Sequence, residues 1–545
     1  MSGMTSHLII APIVLPLVAG ALLLLLNERL RTLRAAISVA SAVSLVGIAI
    51  ALLVMSDAAT PDPPVGVYRL GNWPAPFAIV LVLDRLSALM LLLTSILAAA
   101  AVVFALAGWQ RAGSYFHTLF QFLLMGVNGA FLTGDLFNLF VFFELLLAAS
   151  YGLALHGSGV TRVRAGLHYI VVNLAASLLF LIGVSLIYSV SGTLNMADLA
   201  GRIPAIPAGN RALLEVGAAI LGIAFLVKAG MWPLCFWLPA TYSVASPPVA
   251  AIFAILTKVG VYVVLRLSLL LFGEGAGASA QFGGTWLLYG GMATILFGMI
   301  GTLASQNMAR LAAYSVLVSS GTVLAAIGLG RPGVTGGALF YLVSSTLGIS
   351  AFFLLVELVE RGREPGADMI AITREVYGED GEAFDEAQEA GIAIPATMSV
   401  LGLAFIGCAL VIAGLPPLSG FIGKFALLSS ALSPAGGKET GGAIPAASWA
   451  LLVVLILSGF AVLIAMTRTG IRAFWASPDR AMPRVLVSEI VPVAALLVLC
   501  AMQTVQAGPV MRFMEATAQA LHAPAHYIRE VQRPPEQPAR QTGGS

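Results

Sequence analysis

Charge is what this chain has least of. Only 10% of its 545 residues are Asp, Glu, Lys or Arg, and 59% are hydrophobic, whereas a soluble chain averages roughly 25% charged. That deficit leaves too little to cover a water-exposed surface, so a soluble domain is excluded and a polytopic membrane protein is expected. Cysteine is also scarce. Cys235, Cys408 and Cys500 lie in or beside different apolar runs with no paired spacing, which excludes a disulfide framework and a zinc site. No phosphate-cradling P-loop, GxGxxG fingerprint, haem CxxCH or iron–sulfur cysteine run is present. Transport driven by this chain's own ATP hydrolysis is thereby excluded, and so is bound redox chemistry. Neither a cofactor nor a metal is expected. A net charge of +2 is too small to imply a nucleic-acid partner.

What is abundant is apolar runs near 20 residues, each able to cross about 30 Å of hydrocarbon as a helix. Fourteen occur, at about 7–26, 35–56, 79–108, 116–134, 136–155, 166–190, 212–231, 244–271, 283–303, 309–329, 335–358, 393–432, 449–467 and 488–508. Short loops between them predict one all-α bundle over 1–508. The first run lacks a basic leader and ends in NERLRTLR, so it reads as a retained helix. Arg29, Arg31 and Arg34 place the first loop in the cytoplasm. Fourteen arginines fall on that side, against Arg69, Arg202, Arg211, Arg331 and Lys438 in the short outer loops. With fourteen crossings of a bacterial inner membrane, both termini are expected outside. Residues 357–389 hold eleven acidic groups and three arginines. They predict a solvated cytoplasmic connection reaching to about 392. The Pro- and Gln-rich end predicts a flexible tail over 509–545.

Two stretches break the apolar pattern. KAGMWPLCFWLPATYSVASPP (228–248) carries Pro233, Pro239, Pro247 and Pro248, and AGLPPLSGFIGK (413–424) carries Pro416 and Pro417. Proline removes a helical hydrogen bond, and in hydrocarbon the freed carbonyls need another partner. Interrupted helices in corresponding halves point to a transport site between structural repeats. The intervening runs fit two five-helix units, about 116–271 and 283–467.

Four charges lie deep in the runs: Glu144, Lys228, Lys258 and Lys424. Each costs about 2.5–3.5 kcal/mol at a helix centre, on the order of 10 kcal/mol together. Glu144 could pair with one lysine as interhelical glue, but two lysines would still lack a carboxylate. A desolvated ammonium gives up its proton more readily, so the set reads as a proton relay in which making and breaking a Glu–Lys contact toggles the lysine. His168, near the inner end of its run, could pass protons from the cytoplasm or could be an interfacial hydrogen-bonding group. Tyr169, Tyr262, Ser344, Ser345 and Thr346 could carry a water chain or simply bond between helices. Asp84, Arg85 and Arg266 read as packing or snorkelling groups.

The run FLVKAGMWPLCFWLPATYSVASPPVAAIFAILTKVGVYVVLR resembles the seventh and eighth spans of the antiporter-like membrane subunits of respiratory complex I and of the Mrp-type cation/proton antiporters. Lys228, Trp237, Leu238, Pro239, Pro247, Lys258, Gly260, Tyr262 and Arg266 match that pattern. FELLLAASYGL, with Glu144, is similar to the fifth span, and AGLPPLSGFIGKF, with Lys424, to the broken twelfth. The likeness covers nearly the whole chain. It implies fourteen helices, two inverted five-helix repeats, interrupted seventh and twelfth helices and a Glu144–Lys228–Lys258–Lys424 proton relay. Cys235, Ala240 and Thr241 replace polar positions of the pattern, and Ser345 and Ile349 stand where complex I paralogues hold a histidine and a lysine. Water or hydroxyls must then bridge Lys258 to Lys424. ERGRE…EAGIAIPATM and LPPLSGFxxKF look most like D-type subunits of Mrp/Pha-type antiporters. That resemblance implies exchange of Na⁺ or K⁺ for H⁺ in a complex with A/B, C, E, F and G types of subunit. A proton-pumping subunit of a complex-I-like oxidoreductase or membrane-bound hydrogenase, and a non-transporting scaffold, are the alternatives.

Overall fold

The computed structural model describes residues 7–27, 29–57, 64–74, 76, 79–113, 115–361, 396–434, 444–474 and 485–534. Every apolar run contributes helix. Along the chain these are α1 (Ala11–Leu25), α2 (Arg31–Ser56), α3 (Arg85–Ala105), α4 (Phe116–Leu132), α5 (Leu136–Ala154), α6 (Val160–Ser191) and the short α7 (Met196–Arg202). The seventh run is split into α8 (Ala208–Ala229) and α9 (Trp237–Val244), followed by α10 (Pro247–Leu271), α11 (Gly284–Ala304), α12 (Met308–Leu329) and α13 (Pro332–Glu360). The twelfth run is split into α14 (Ala396–Ala413) and α15 (Ser419–Ala431), followed by α16 (Ala446–Phe474) and α17 (Val487–Val505). Among the described residues twelve helices are long and apolar enough to span a membrane, and α1 and α4 are shorter apolar ones. Together they account for the fourteen runs.

Two stretches depart from the sequence reading. The third run, expected to be helical from 79, opens as a strand: Val80–Leu83 pairs antiparallel with Gly66–Arg69. The helix begins only after Asp84, whose carboxylate accepts from the Ser87 amide while Ser87 Oγ accepts from the Asp84 amide. That reciprocal cap fixes the start of α3. The expected flexible tail contains two helices, α18 (Ala507–His522) and α19 (Ala525–Gln532). Met514, Ala518 and Leu521 on α18 and Tyr527 and Val531 on α19 recur at helical spacing and are buried, so each helix has an apolar stripe that packs on the bundle. Arg69 pins α19 by donating to the carbonyls of Glu530, Val531 and Arg533. The acidic connection lies, beyond Arg361, outside the described residues. At its start Arg361 bridges Glu357 and the buried Glu489, at 2.5 and 2.6 Å, and Trp109 Nε1 donates to Glu357 at 2.6 Å.

Helix α10 is the axis of the bundle, and its most apolar stretch is buried throughout. Around it the chain repeats one plan: α4–α5–α6–α8/α9–α10, then α11–α12–α13–α14/α15–α16. Both interruptions are built alike. Gly230 (φ 72°) and Gly414 (φ 75°) end α8 and α14 in the left-handed region. Met231 N then donates to Leu226 O and Leu415 N to Leu410 O, the αL stop that satisfies the last carbonyls of a helix. Each break also contains a cis X–Pro bond, Trp232–Pro233 and Pro416–Pro417. The remaining prolines do not break helices. Pro239 sits in the first turn of α9 and Pro247 and Pro248 open α10, where a missing N–H removes nothing from the ladder.

Small residues bring α11 and α12 together, as expected where helices pack without a hydrophobic driving force. A Cβ on Gly328 would overlap the Leu288 backbone nitrogen, and one on Gly291 the Ala325 nitrogen. Because backbone cannot move aside, Gly328→Leu should cost about 1–3 kcal/mol. A thermal-shift measurement on detergent-solubilised protein is expected to show a lower melting temperature and less folded protein, and an unchanged melting curve would contradict this packing.

Candidate functional site

The ionisable groups named from the sequence are distributed along the bundle's middle. Lys228 lies in the last turn of α8, just before the αL stop, and is 5% exposed. A lysine in the last turn lies near the negative end of the half-helix dipole, a favourable place for a cation. Among the described residues its Nζ has no hydrogen-bond partner, and it lies 5.2 Å from the centre of the Phe143 ring. Glu144, the next residue on α5, is the carboxylate whose charge acts on Lys228. The two form no ion pair, and among the described residues Glu144 Oε1 is likewise buried without a partner. Such orphaned atoms facing the same region mark a polar seam that the protein's own groups leave unsatisfied.

Gly260 sets how closely α10, which carries Lys258, passes the end of α8. A Cβ at 260 would stand 2.7 Å from the Ala229 nitrogen and 3.0 Å from the Lys228 carbonyl carbon. Only glycine therefore lets α10 cross the end of α8 at this point. Lys258, two residues earlier, is 1% exposed. Among the described residues it has no carboxylate partner. Its Nζ donates to Ser319 Oγ at 2.7 Å and Ser320 Oγ at 3.1 Å, both on α12. Ser319 Oγ in turn shares a 2.7 Å hydrogen bond with Ser345 Oγ on α13.

The hydroxyls continue toward the second break. Tyr341 on α13 is buried, and its ring centre lies 5.8 Å from Lys424 Nζ. Lys424, on α15, reaches back to donate to Ala413 O at 2.8 Å, one of the carbonyls freed where α14 ends. Gly414 makes room for it: a Cβ there would meet Lys424 Cδ at 2.7 Å and Nζ at 3.0 Å. Ser344 Oγ bonds Ser419 Oγ at 2.7 Å at the start of α15. Both broken helices thus present a lysine to the C-terminal end of a half-helix, while Lys258, on an unbroken helix, is held by hydroxyls.

Some named residues are placed elsewhere. His168 is exposed and bonds only the Arg164 carbonyl, at 3.0 Å, so it does not reach the buried set. The next residue, Tyr169, points inward and shares a 2.7 Å bond with Ser150. Tyr262 donates to Phe131 O at 2.7 Å, away from the Ser319 hydroxyl. Thr346 bonds Leu342 O within its own helix at 2.6 Å. Arg266 does not snorkel. It is buried and paired through both nitrogens with Asp84, while Arg85 pairs with Asp57 at 2.9 Å. Ser319, Ser320 and Tyr341 were not singled out from the sequence. The signal available was the hydroxyl pair in SVLVSSGTVL, which alone is indistinguishable from ordinary interhelical bonding. Among the described residues no cluster of His, Cys, Asp or Glu could hold a metal.

Comparison with known proteins accords with this arrangement. The family model described as NADH:quinone oxidoreductase/Mrp antiporter, TM, matches residues 133–436, a stretch that contains all four charges and both breaks. Over 532 residues the chain is 62% identical to a protein of Rhizobium meliloti (strain 1021) named as the D subunit of a probable K(+)/H(+) antiporter, covering 97% of this chain and 98% of that one. It is 33% identical to the D subunit of a Na(+)/H(+) antiporter of Bacillus subtilis (strain 168) over 533 residues, 96% of this chain and 99% of that one. A chain in the structure of the Mrp complex from Dietzia sp. DQ12-45-1b superposes with a TM-score of 0.79 at 26% identity, over 98% of this chain and 100% of that one. With its broken helices, buried lysines and full-length relatives in agreement, the chain belongs to the NADH:quinone oxidoreductase/Mrp antiporter transmembrane family.

Proposed function

We propose that this chain is the D-type subunit of a multisubunit monovalent cation/proton antiporter and that it carries the proton path. The observation that carries this reading is the environment of Lys258, a buried ammonium held by Ser319 and Ser320 hydroxyls that lead to Ser345. A hydroxyl both accepts and donates. It can therefore take a proton from the ammonium on one side and release another on the far side without moving. Protons pass from Glu144 and Lys228, across the Gly260 crossing to Lys258, through Ser319, Ser345 and Tyr341 with bridging water, to Lys424. Glu144 supplies the toggle: its approach to Lys228 stabilises the ammonium and its withdrawal releases the proton.

One charge falling through 100 mV releases about 2.3 kcal/mol, more than the roughly 1.4 kcal/mol needed for a tenfold cation gradient. The driven cation is Na⁺ or K⁺, since one relative is named for each, and the partners are subunits of the A/B, C, E, F and G types. The named relatives favour this reading over an oxidoreductase subunit. An even number of crossings, with arginine enriched on the side of the 361–395 connection, supports a topology with both termini outside the cell membrane.

In membrane vesicles carrying the assembled complex, Glu144→Ala, Lys228→Ala and Lys424→Ala are each expected to lower cation-dependent proton flux by about tenfold or more, the effect of adding roughly 1.4 kcal/mol to a barrier. Normal flux in any of them removes that residue from the path. The flux measured with Na⁺ and then K⁺ identifies the cation. Ser319→Ala with Ser345→Ala deletes the hydroxyl bridge while keeping all four charges. The loss of a charged hydrogen bond, about 1.5–3 kcal/mol, predicts a similar fall in flux with the complex still assembled. Orientation is read by thiol labelling, because the three native cysteines are buried. A membrane-impermeant maleimide should label Ala208→Cys in intact spheroplasts and Val160→Cys only after lysis, and the reverse pattern would invert the topology.

A further inference from the structure

The relay leaves one buried ion pair unused. On α10, Lys258, Tyr262 and Arg266 follow one another at four-residue intervals and so share a helix face. Arg266 is 7% exposed. It grips Asp84 with two nitrogens, donates to Tyr262 Oη at 3.2 Å, and lies 5.4 Å from the ring centres of both Tyr262 and Tyr527. Beyond the pair, on the side away from Lys258, is a cavity of about 350 Å³, large enough for several waters. Asp84, Arg85 and Arg266 contribute its polar wall, and Thr517, Leu521 and Tyr527 of the C-terminal helices line its other side. The hairpin of α18 and α19 is held at its edges, by His522 on Thr335 at 3.0 Å and by Arg69 on the last carbonyls of α19.

A full ion pair at the end of a proton-carrying helix is an expensive way to pack. Its charge gives it another use. A guanidinium cannot deprotonate in a protein, so a path that passes it meets a fixed positive charge in a poorly screened place. Fixed arginines of this kind exclude protons and cations from channels. Asp84 holds that charge in position, anchored itself by the capping box of α3.

We propose that Arg266 and Asp84 form an electrostatic gate between Lys258 and a hydrated vestibule under the C-terminal hairpin, a second proton port that is closed in this structure. This rests on Lys258 being a proton carrier. When the hairpin lifts, Tyr527 leaves the Arg266 face. The pair can then swing into the cavity, and water reaches Tyr262 and Lys258 from the face that carries the C-terminus. Held shut, the gate keeps protons that arrive at Lys258 moving on toward Lys424 and prevents a short circuit across the first half of the bundle.

The test is proton leak in proteoliposomes holding the assembled complex, followed as decay of an imposed pH difference with choline as the only monovalent cation. Asp84→Asn combined with Arg266→Gln removes both charges without leaving a lone one. It is expected to raise the cation-independent leak on the order of tenfold, the effect of lowering the barrier at the gate by roughly 1.4 kcal/mol. Adding Lys258→Ala should return the leak to the wild-type rate. A wild-type leak in the assembled double variant overturns the gate, and so does a raised leak that survives Lys258→Ala. If the double variant does not assemble, Tyr527→Ala leaves the ion pair intact and strips only the roof. A leak about twofold above wild type supports the gate, and an unchanged leak overturns it. Lys258→Ala alone, assayed for cation-driven flux, tests the relay separately, so the gate can fail while the relay stands.

Discussion

An ammonium group in oil is the constraint around which this protein is arranged. Three lysines are buried in the bundle's middle, and each must be compensated by something other than water. The structure uses two devices. Lys228 lies in the last turn of the half-helix α8, where the helix dipole supplies negative potential, and Lys424 donates to the Ala413 carbonyl at the end of α14. Lys258 is on an unbroken helix, with no such end available, and takes its compensation from the hydroxyls of α12. A carboxylate at each site would have been a stronger partner, but a tight ion pair holds its proton. Carbonyls and hydroxyls stabilise the charge while leaving it free to depart.

That choice accounts for the odd features of the helices. Each break needs a residue with positive φ to stop the helix, hence Gly230 and Gly414. The second break also needs space for a lysine side chain, hence the close approach at Gly414, while Gly260 lets α10 cross the end of α8. Proline begins the segments that follow without weakening them. The small residues along α11 and α12 serve a different end, letting the partly exposed α11 pack closely on the buried α12, which carries Ser319.

The two ends of α10 differ in kind. Toward Lys258 the helix meets neutral hydroxyls, the groups proposed to pass the proton on. Toward Arg266 it is closed by a fully charged pair beneath the C-terminal hairpin. The same helix therefore carries the lysine proposed to exchange its proton and, two turns on, a guanidinium that keeps its own.

The sequence alone determined the class, the fourteen apolar runs and the four charges within them, because hydrocarbon imposes a simple rule: a run of about twenty apolar residues must be helical, and any charge inside it must be compensated. The glycines and prolines marked where two helices break. It did not determine which hydroxyls serve Lys258. Ser319 and Ser320 are distant from it in the chain, and any serine on a spanning helix satisfies itself on its own backbone unless a neighbour is brought within about 3 Å. His168 and Tyr169 illustrate the point: adjacent in sequence, they point to opposite sides, and only packing decides that the tyrosine faces in. Nor could sequence join Asp84 to Arg266, or see that the stretch read as a flexible tail carries two short amphipathic helices. Their apolar stripes are too brief to announce themselves until the bundle offers a surface to cover.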